Sequence, residues 1–269
     1  MTSIALICPR VRIEEKAILS AFETRNVRSE PVNPATLSLE WGTSPLPGFD
    51  AAFLSGVEPG QASFLSQWLE GAGIHAINPS PVARRLADRV ALHLTLWDAD
   101  LPTPSASVAF SADAAIEAIE RIGYPVCDCP IDPSDGVLTA RLNDRSAATA
   151  VIEHRRRLGG YRHGVTYIER APHETVARHC FLVAHGQVIA TDAPGLSADR
   201  LGHLAGLAGR AVGGGIVTVI IESTADDRAW ICDVASPSRF REIGIVKEIA
   251  ERIAEHVLEE VAMQDSSER

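Results

Sequence analysis

The chain has 269 residues, 46% of them hydrophobic, and a formal net charge of −10. That much apolar sequence can bury a large core over two or three compact subdomains, which excludes a disordered chain. The acidic balance argues against a nucleic-acid partner, and the one basic block, His154-Arg155-Arg156-Arg157, reads as the solvated face of a helix.

The opening MTSIALICPR has no basic flank and only a short apolar run, and no stretch nears the roughly 18 apolar residues of a membrane span. A cytoplasmic protein is expected. The five cysteines, Cys8, Cys127, Cys129, Cys180 and Cys232, are odd in number and fall mostly in expected strands, where thiols pack as small hydrophobes. Cys127-Asp128-Cys129 lacks the second ligand pair of a metal knuckle.

In chain order, Ser3 to Cys8 reads as a buried strand and Ile13 to Phe22 as a helix behind it; Pro31 and Pro34 mark a connection. A strand over Asp50 to Ser55 follows, then a helix over Gln61 to Glu70 resting on Phe64, Leu65, Trp68 and Leu69, then a short strand from His75 to Asn78. This alternation predicts a small parallel sheet with helices on its faces. A helical pattern runs on through Ala87-Asp88-Arg89 to Trp97, and its Leu92, Leu94 and Leu96 give more apolar surface than one face holds, as for a helix buried between units. Ala106 to Phe110 is a strand, and Ala112 to Arg121 a helix with Ile116, Ile119 and Ile122 on one stripe.

The stretch from Tyr124 to Asp144 reads strand, polar glycine-bearing loop, strand, an arrangement that often covers a ligand. A helix over Ser146 to Leu158 stops at Gly159-Gly160. Thr175 to Val183 and Gln187 to Ala190 form a hairpin across His185-Gly186, and Leu201 to Val212 is a helix closed by three glycines. Two strands, Ile216 to Glu222 and Ala229 to Val234, precede a terminal helix opened by Arg239, Arg241 and Glu242, with Ile243, Ile245, Ile249, Ile253 and Val257 on its apolar side and a frayed tail from Gln264.

Several of these stretches resemble one family. Leu101-Pro102-Thr103-Pro104, Tyr124-Pro125-Val126 with Pro130, Ser134 and Gly136, the run IEHRRRLGGYRHGVTYIE, and Ala211-Val212 with its three glycines are similar to ATP-grasp ligases of the LysX and RimK type. The resemblance implies an α/β chain with the ATP-grasp fold: a preATP-grasp parallel sheet with a linker helix over 1–100, a small central domain over 101–172, and a C-terminal antiparallel sheet domain over 173–269. Such ligases join an amine to a carboxylate through an acyl phosphate made from ATP. The LysX branch acts on the glutamate tail of an amino-group carrier protein.

The departures from the pattern fall where that chemistry would occur. Cys129 stands at the strand lysine that holds nucleotide phosphate, and Asp128 and Asp132 add negative charge where the polyphosphate would lie. Arg89 keeps the charge of a second phosphate-binding lysine. Glu169 persists beside the adenine hinge, but Arg170, Ala171 and Pro172 replace its next three positions, and proline offers no N–H. The family's acidic residue and arginine align with Ala177 and His179, so Arg178 could serve only through a one-residue bulge. The loop from Thr191 to Ala198 is much shorter than the family's. Of three Mg²⁺ ligands only Asp233 remains, with Ile220 and Ala235 at the others. Glu222, two residues from Ile220 and on its face, either ligates after a register shift or meets solvent at the strand end.

The leading expectation is therefore a degenerate, non-catalytic member that is a partner, scaffold or regulator of carboxylate-amine ligation in amino-acid or secondary-metabolite biosynthesis. It would form a homo-oligomer or a heteromer with an active ligase paralogue, meet a small acidic carrier protein, and need no cofactor. The alternative is an active ligase that uses ATP and Mg²⁺, with nucleotide at Arg89, Ser134, Gly136 and Glu169, substrate at Arg178 and Arg239, and metal at Asp233 and Glu222. A third reading, a binding module for a small carboxylate or acidic peptide, uses Arg170, Arg178 and Arg239.

Overall fold

The structure, a computed structural model, describes residues 2–40, 42–132, 139–159, 164–171, 177–193, 195–226, 228–237 and 240–267. Strands β1 (Ser3–Ile7), β2 (Arg28–Val32), β3 (Ala51–Leu54) and β4 (His75–Ile77) form a parallel sheet in the order β2-β1-β3-β4. Alternate β1 side chains serve opposite faces: Ile4 and Leu6 pack with Ile18 and Phe22 of α1 (Ile13–Thr24), whereas Ala5 and Ile7 pack with Leu65 and Leu69 of α2 (Pro59–Gly71).

Two sequence expectations are corrected in this part. Pro31, expected in a connection, lies within strand β2, whose proline-bearing, half-exposed sequence suits a sheet edge, where a missing N–H is tolerated. Helix α2 buries Ala62, Leu65, Ser66 and Leu69, so Phe64 lies off the buried stripe and is 72% exposed.

The long helical pattern that follows is two helices, α3 (Ser80–Leu86) and α4 (Arg89–Asp98). Asp88 interrupts it because its side chain turns back to accept hydrogen bonds from the N–H groups of Val90 (2.9 Å) and Ala91 (3.0 Å). Leu92 and Leu96 of α4 are buried, as expected between units, but Leu94 and Trp97 are exposed.

The central part comprises β5 (Ala106–Ala109), α5 (Ala112–Ile122), β6 (Val126–Cys129), β7 (Ala140–Leu142), α6 (Arg145–Leu158) and β8 (Thr166–Arg170), with the antiparallel order β5-β8-β6-β7. Ser111 and Asp144 cap the two helices, which cover one face of the sheet through Ala115, Ile119, Ala148 and Ile152. Val126 points to that helical face, and strand alternation sends Asp128 the same way. Asp128 is fully buried there and ion-paired with Arg155 at 3.0 Å. Its charge thus lies behind the sheet rather than in the expected phosphate site. Arg155, for its part, is not a solvated residue of the basic run.

The last part has β9 (Ala177–Ala184), β10 (Gln187–Thr191), α7 (Gly195–Ala211), β11 (Ile216–Ser223), β12 (Ala229–Ala235) and α8 (Val246–Ser267), with the antiparallel order β10-β9-β11-β12. Val217, Val219 and Ile221 face α7, and Leu92 and Leu96 of α4 join that core. On the other side α8 packs Ile249, Ile253 and Val257 against α1 and the first sheet, so the two ends of the chain share one core. Helix α8 continues through the expected frayed tail to Ser267, and Ile245 of its anticipated apolar side is 64% exposed.

Asn78 ties the first and last sheets. Its amide donates to the carbonyl of Ile216 (2.8 Å) and accepts from the Ile216 N–H (2.7 Å), replacing a neighbouring strand. This explains the last of the three glycines: a Cβ on Gly215 would lie 2.4 Å from the Asn78 Oδ1, and Gly215 has φ +75°.

Candidate functional site

The central sheet presents one face to the C-terminal sheet. On it β6 and β8 pair Cys127 with Glu169 and Cys129 with Tyr167, because Val126 and Asp128 have taken the helical face. The Tyr167 hydroxyl donates to Glu169 Oε1 at 2.8 Å, and the Cys129 thiol donates to Glu169 Oε2 at 3.7 Å. Both carboxylate oxygens are thereby occupied by neutral donors. Burial, followed by the Glu169 charge, pushes the Cys129 thiol up to about 12, so it is a neutral thiol at physiological pH. Burial raises Glu169 as well, against the Tyr167 hydrogen bond and the charge of Arg89.

Arg89 enters from the first turn of α4. Its backbone N–H donates to the Ile131 carbonyl at 3.0 Å and its Nε to the Pro130 carbonyl at 3.1 Å, so helix and loop are joined twice at one residue. Burial works against its charge, but Asp233, Cys129 and Glu169 outweigh that and raise its pKa. The structure brings Arg89 and Glu169, two of the expected nucleotide residues, close together and adds Tyr167, which the sequence reading did not single out. The signal was available: Tyr167 and Glu169 are two apart in a strand and share a face.

Across the cleft, β11 and β12 pair Ile220 with Asp233 and Thr218 with Ala235. Glu222 follows Ile220 on that face, opposite Arg178 of β9, whose guanidinium lies 4.0 Å from the carboxylate. The Glu222 side chain is 15% exposed and hydrogen-bonded with the Cys232 thiol, so it turns inward rather than meeting solvent. The β9–β11 register runs unbroken from Ala177 to Ala184, with no bulge at Arg178; the shift lies instead between Ile220 and Ile221 of the β11–β12 pair. Arg170 is on the other side of β8, where it donates to the Ile122 carbonyl and lines a cavity of about 480 Å³ with Thr103, Ser105, Arg228 and Trp230. Ser134, Gly136, Pro172 and Arg239 lie outside the described residues.

Comparison with known proteins puts this geometry in context. The LysX preATP-grasp domain family matches residues 4–85. A RimK domain ATP-grasp protein from Sphaerobacter thermophilus superposes with a TM-score of 0.85 over 96% of this chain and 100% of its own, at 28% identity. This chain has the ATP-grasp fold, and its first part is similar to the LysX preATP-grasp domain. Glutamate–LysW ligase ArgX from Sulfurisphaera tokodaii is 34% identical over 156 residues, and its counterpart from Sulfolobus acidocaldarius 32% identical over the same length. Those alignments cover 58% of this chain and 55% of each relative, so the ATP-grasp chain spans about half the length of the curated relatives it matches.

An ATP-grasp cleft implies a Mg²⁺-nucleotide, and the donor set can be tested for it. Mg²⁺ takes hard oxygen ligands, usually carboxylates together with phosphate and water. Here the cleft face carries the carboxylates of Asp233 and Glu222 beside the hydrocarbon side chains of Ile220 and Ala235, and Cys129 on the opposite sheet is a neutral thiol. Among the described residues no group of three or more His, Cys, Asp or Glu could hold a metal ion. The described residues thus offer Mg²⁺ two carboxylates, Asp233 and Glu222, and offer phosphate the guanidinium of Arg89.

Proposed function

We propose that this chain is a non-catalytic ATP-grasp protein, a partner, scaffold or regulator of an ATP-dependent carboxylate-amine ligation carried out on a carrier protein by another chain. The observation that carries the reading is Cys129. A phosphate-binding lysine supplies a fixed positive charge; Cys129 supplies a protonated thiol already hydrogen-bonded to a carboxylate. Phosphoryl transfer depends on positioned charge rather than on covalent help from the protein, so such a replacement removes one of the charges it relies on. The carrier-protein context is supported by the ArgX relatives, which are named as ligases of LysW. The large exposed side chains Phe64, Leu94, Trp97 and Phe110 suit a protein that docks on others.

The second reading is an active ligase with a rearranged site, favoured by the inward turn of Glu222 on the face that carries Asp233. Calorimetric titration of the full chain with AMP-PNP, with and without Mg²⁺, separates the two. The first reading expects no binding at millimolar nucleotide. Micromolar, Mg²⁺-dependent binding would overturn it and call for a ligase assay.

A further inference from the structure

We infer that α4 is a splint that holds the cleft between the two ATP-grasp sheets closed without nucleotide, with Arg89 as its clasp; this rests on the reading of a site that binds none. The helix has three stripes. Leu92 and Leu96, one turn apart, are 5% and 3% exposed in the core formed with α7, β11 and β12, which fixes α4 to the C-terminal sheet. Arg89 and His93, the next stripe, address the central sheet: Arg89 through its bonds to Pro130 and Ile131, and His93 by an edge-on contact of its ring with Tyr167, 6.0 Å between centroids at 69°. Leu94 and Trp97 lie on the exposed side. One short helix is thus docked on both walls of the cleft at once.

Charge favours the same role. Glu169 belongs to the central wall and Asp233 to the C-terminal wall, and the charge of Asp233 disfavours the ionised form of Glu169. In a nucleotide-binding member, cations arriving with the substrate would offset that repulsion. Here both carboxylates favour the charged form of Arg89, whose Nε donates to the Pro130 carbonyl at 3.1 Å between the two walls. Removing the guanidinium would leave like charges opposed and take away one of the two bonds that tie the loop after β6 to α4.

Amide hydrogen exchange on the full chain tests this. In Arg89→Met, peptides spanning 126–131 and 166–171 in the central wall and 229–235 in the C-terminal wall should all exchange at least tenfold faster than in wild type, with β1 and β3 unchanged. Arg89→Lys, which keeps the charge but not the planar donor, should be intermediate. Acceleration confined to α4 and Pro130-Ile131, or none, would overturn the splint. If Arg89→Met does not fold, Asp233→Asn serves: it should quicken exchange in 126–131 and 166–171 across the cleft, and unchanged rates there overturn the inference. AMP-PNP titration of wild type judges the underlying functional reading separately: nucleotide binding would refute that reading, while the exchange pattern alone decides the splint.

Discussion

Asn78 and Ile216, 138 residues apart, exchange two hydrogen bonds in a fully buried setting, and through them the first sheet is tied to the last. Asn78→Ala would leave the N–H and the C=O of Ile216 without partners. Each orphaned buried group costs about 1–3 kcal/mol, so a loss of about 2–4 kcal/mol is expected, read as a lower urea midpoint at unchanged slope. Gly215→Ala should destabilise through the same pair, because its methyl would meet the Asn78 amide. A midpoint unchanged in both variants would show that the pairing contributes nothing.

Asp128 and Arg155 make stability depend on pH in an unusual direction. Burial raises the Asp128 carboxyl from 3.8 to about 6, the Arg155 charge only partly opposing it. The folded state then holds a proton over a range where the unfolded chain has released it. This contribution is fully present below about pH 4 and is lost as pH rises through 6, by an amount of roughly 3 kcal/mol. Asp128→Asn should abolish that term, so the difference in unfolding free energy between variant and wild type should shift in the variant's favour from pH 4.5 to pH 7. Arg155→Met, which strands the buried carboxylate, should cost about 3–5 kcal/mol at pH 7 and less at pH 5.

Much of the fold was legible because its signals are local. The apolar run from Ile4 to Ile7, the apolar stripes of α5 and α8, and the glycines closing α7 each depend on a few adjacent residues. What escaped depends on pairing at a distance. Asp128 seemed to face the cleft because its neighbours matched a phosphate motif, yet the face it takes is set by Val126 packing against α5 and α6. Arg155 looked like one of four surface cations until α6 was laid over β6. Strand β2 was hidden because Pro31 and polar neighbours weaken a strand pattern, while the edge position that excuses them is a property of the sheet. At the cleft, Arg89, Glu169 and Asp233 were expected from motifs and the structure gathers them there; Tyr167 and the inward turn of Glu222 follow from register.

Thiol chemistry gives an independent view of the cleft. All five cysteines have pKa values raised chiefly by burial, Cys8 to about 11 and Cys129 to about 12. At pH 8 the thiolate fraction of Cys129 is then on the order of one in ten thousand, and native iodoacetamide labelling should reach it more slowly than half-buried Cys127. Glu169→Gln removes the second cause of the shift, so labelling of Cys129 should quicken several-fold while Cys8 is unaffected. Rapid labelling of wild-type Cys129, mapped by peptide mass, would mean that the thiol is neither buried nor neutral.

The departures at Cys129, Ile220 and Ala235 can be reversed as a set. Ile220 is paired with Asp233, and Ala235 lies two residues beyond Asp233 in the same strand, so oxygen ligands at the three positions would share one face of the sheet. Cys129→Lys alone restores a cation but gives it Glu169 as a partner and leaves hydrocarbon at Ile220 and Ala235. No AMP-PNP binding at millimolar concentration is expected for wild type or for this single variant. Cys129→Lys, Ile220→Asp and Ala235→Asn together should bind AMP-PNP at least tenfold more tightly, and only with Mg²⁺ present. If the combined variant folds, judged by its thermal transition, and still binds nothing, the obstacle lies elsewhere, and Arg89 is the first residue to change with it. If wild type already binds as tightly as the combined variant, Cys129 and its two counterparts across the cleft do not decide nucleotide binding, and the non-catalytic reading falls with them.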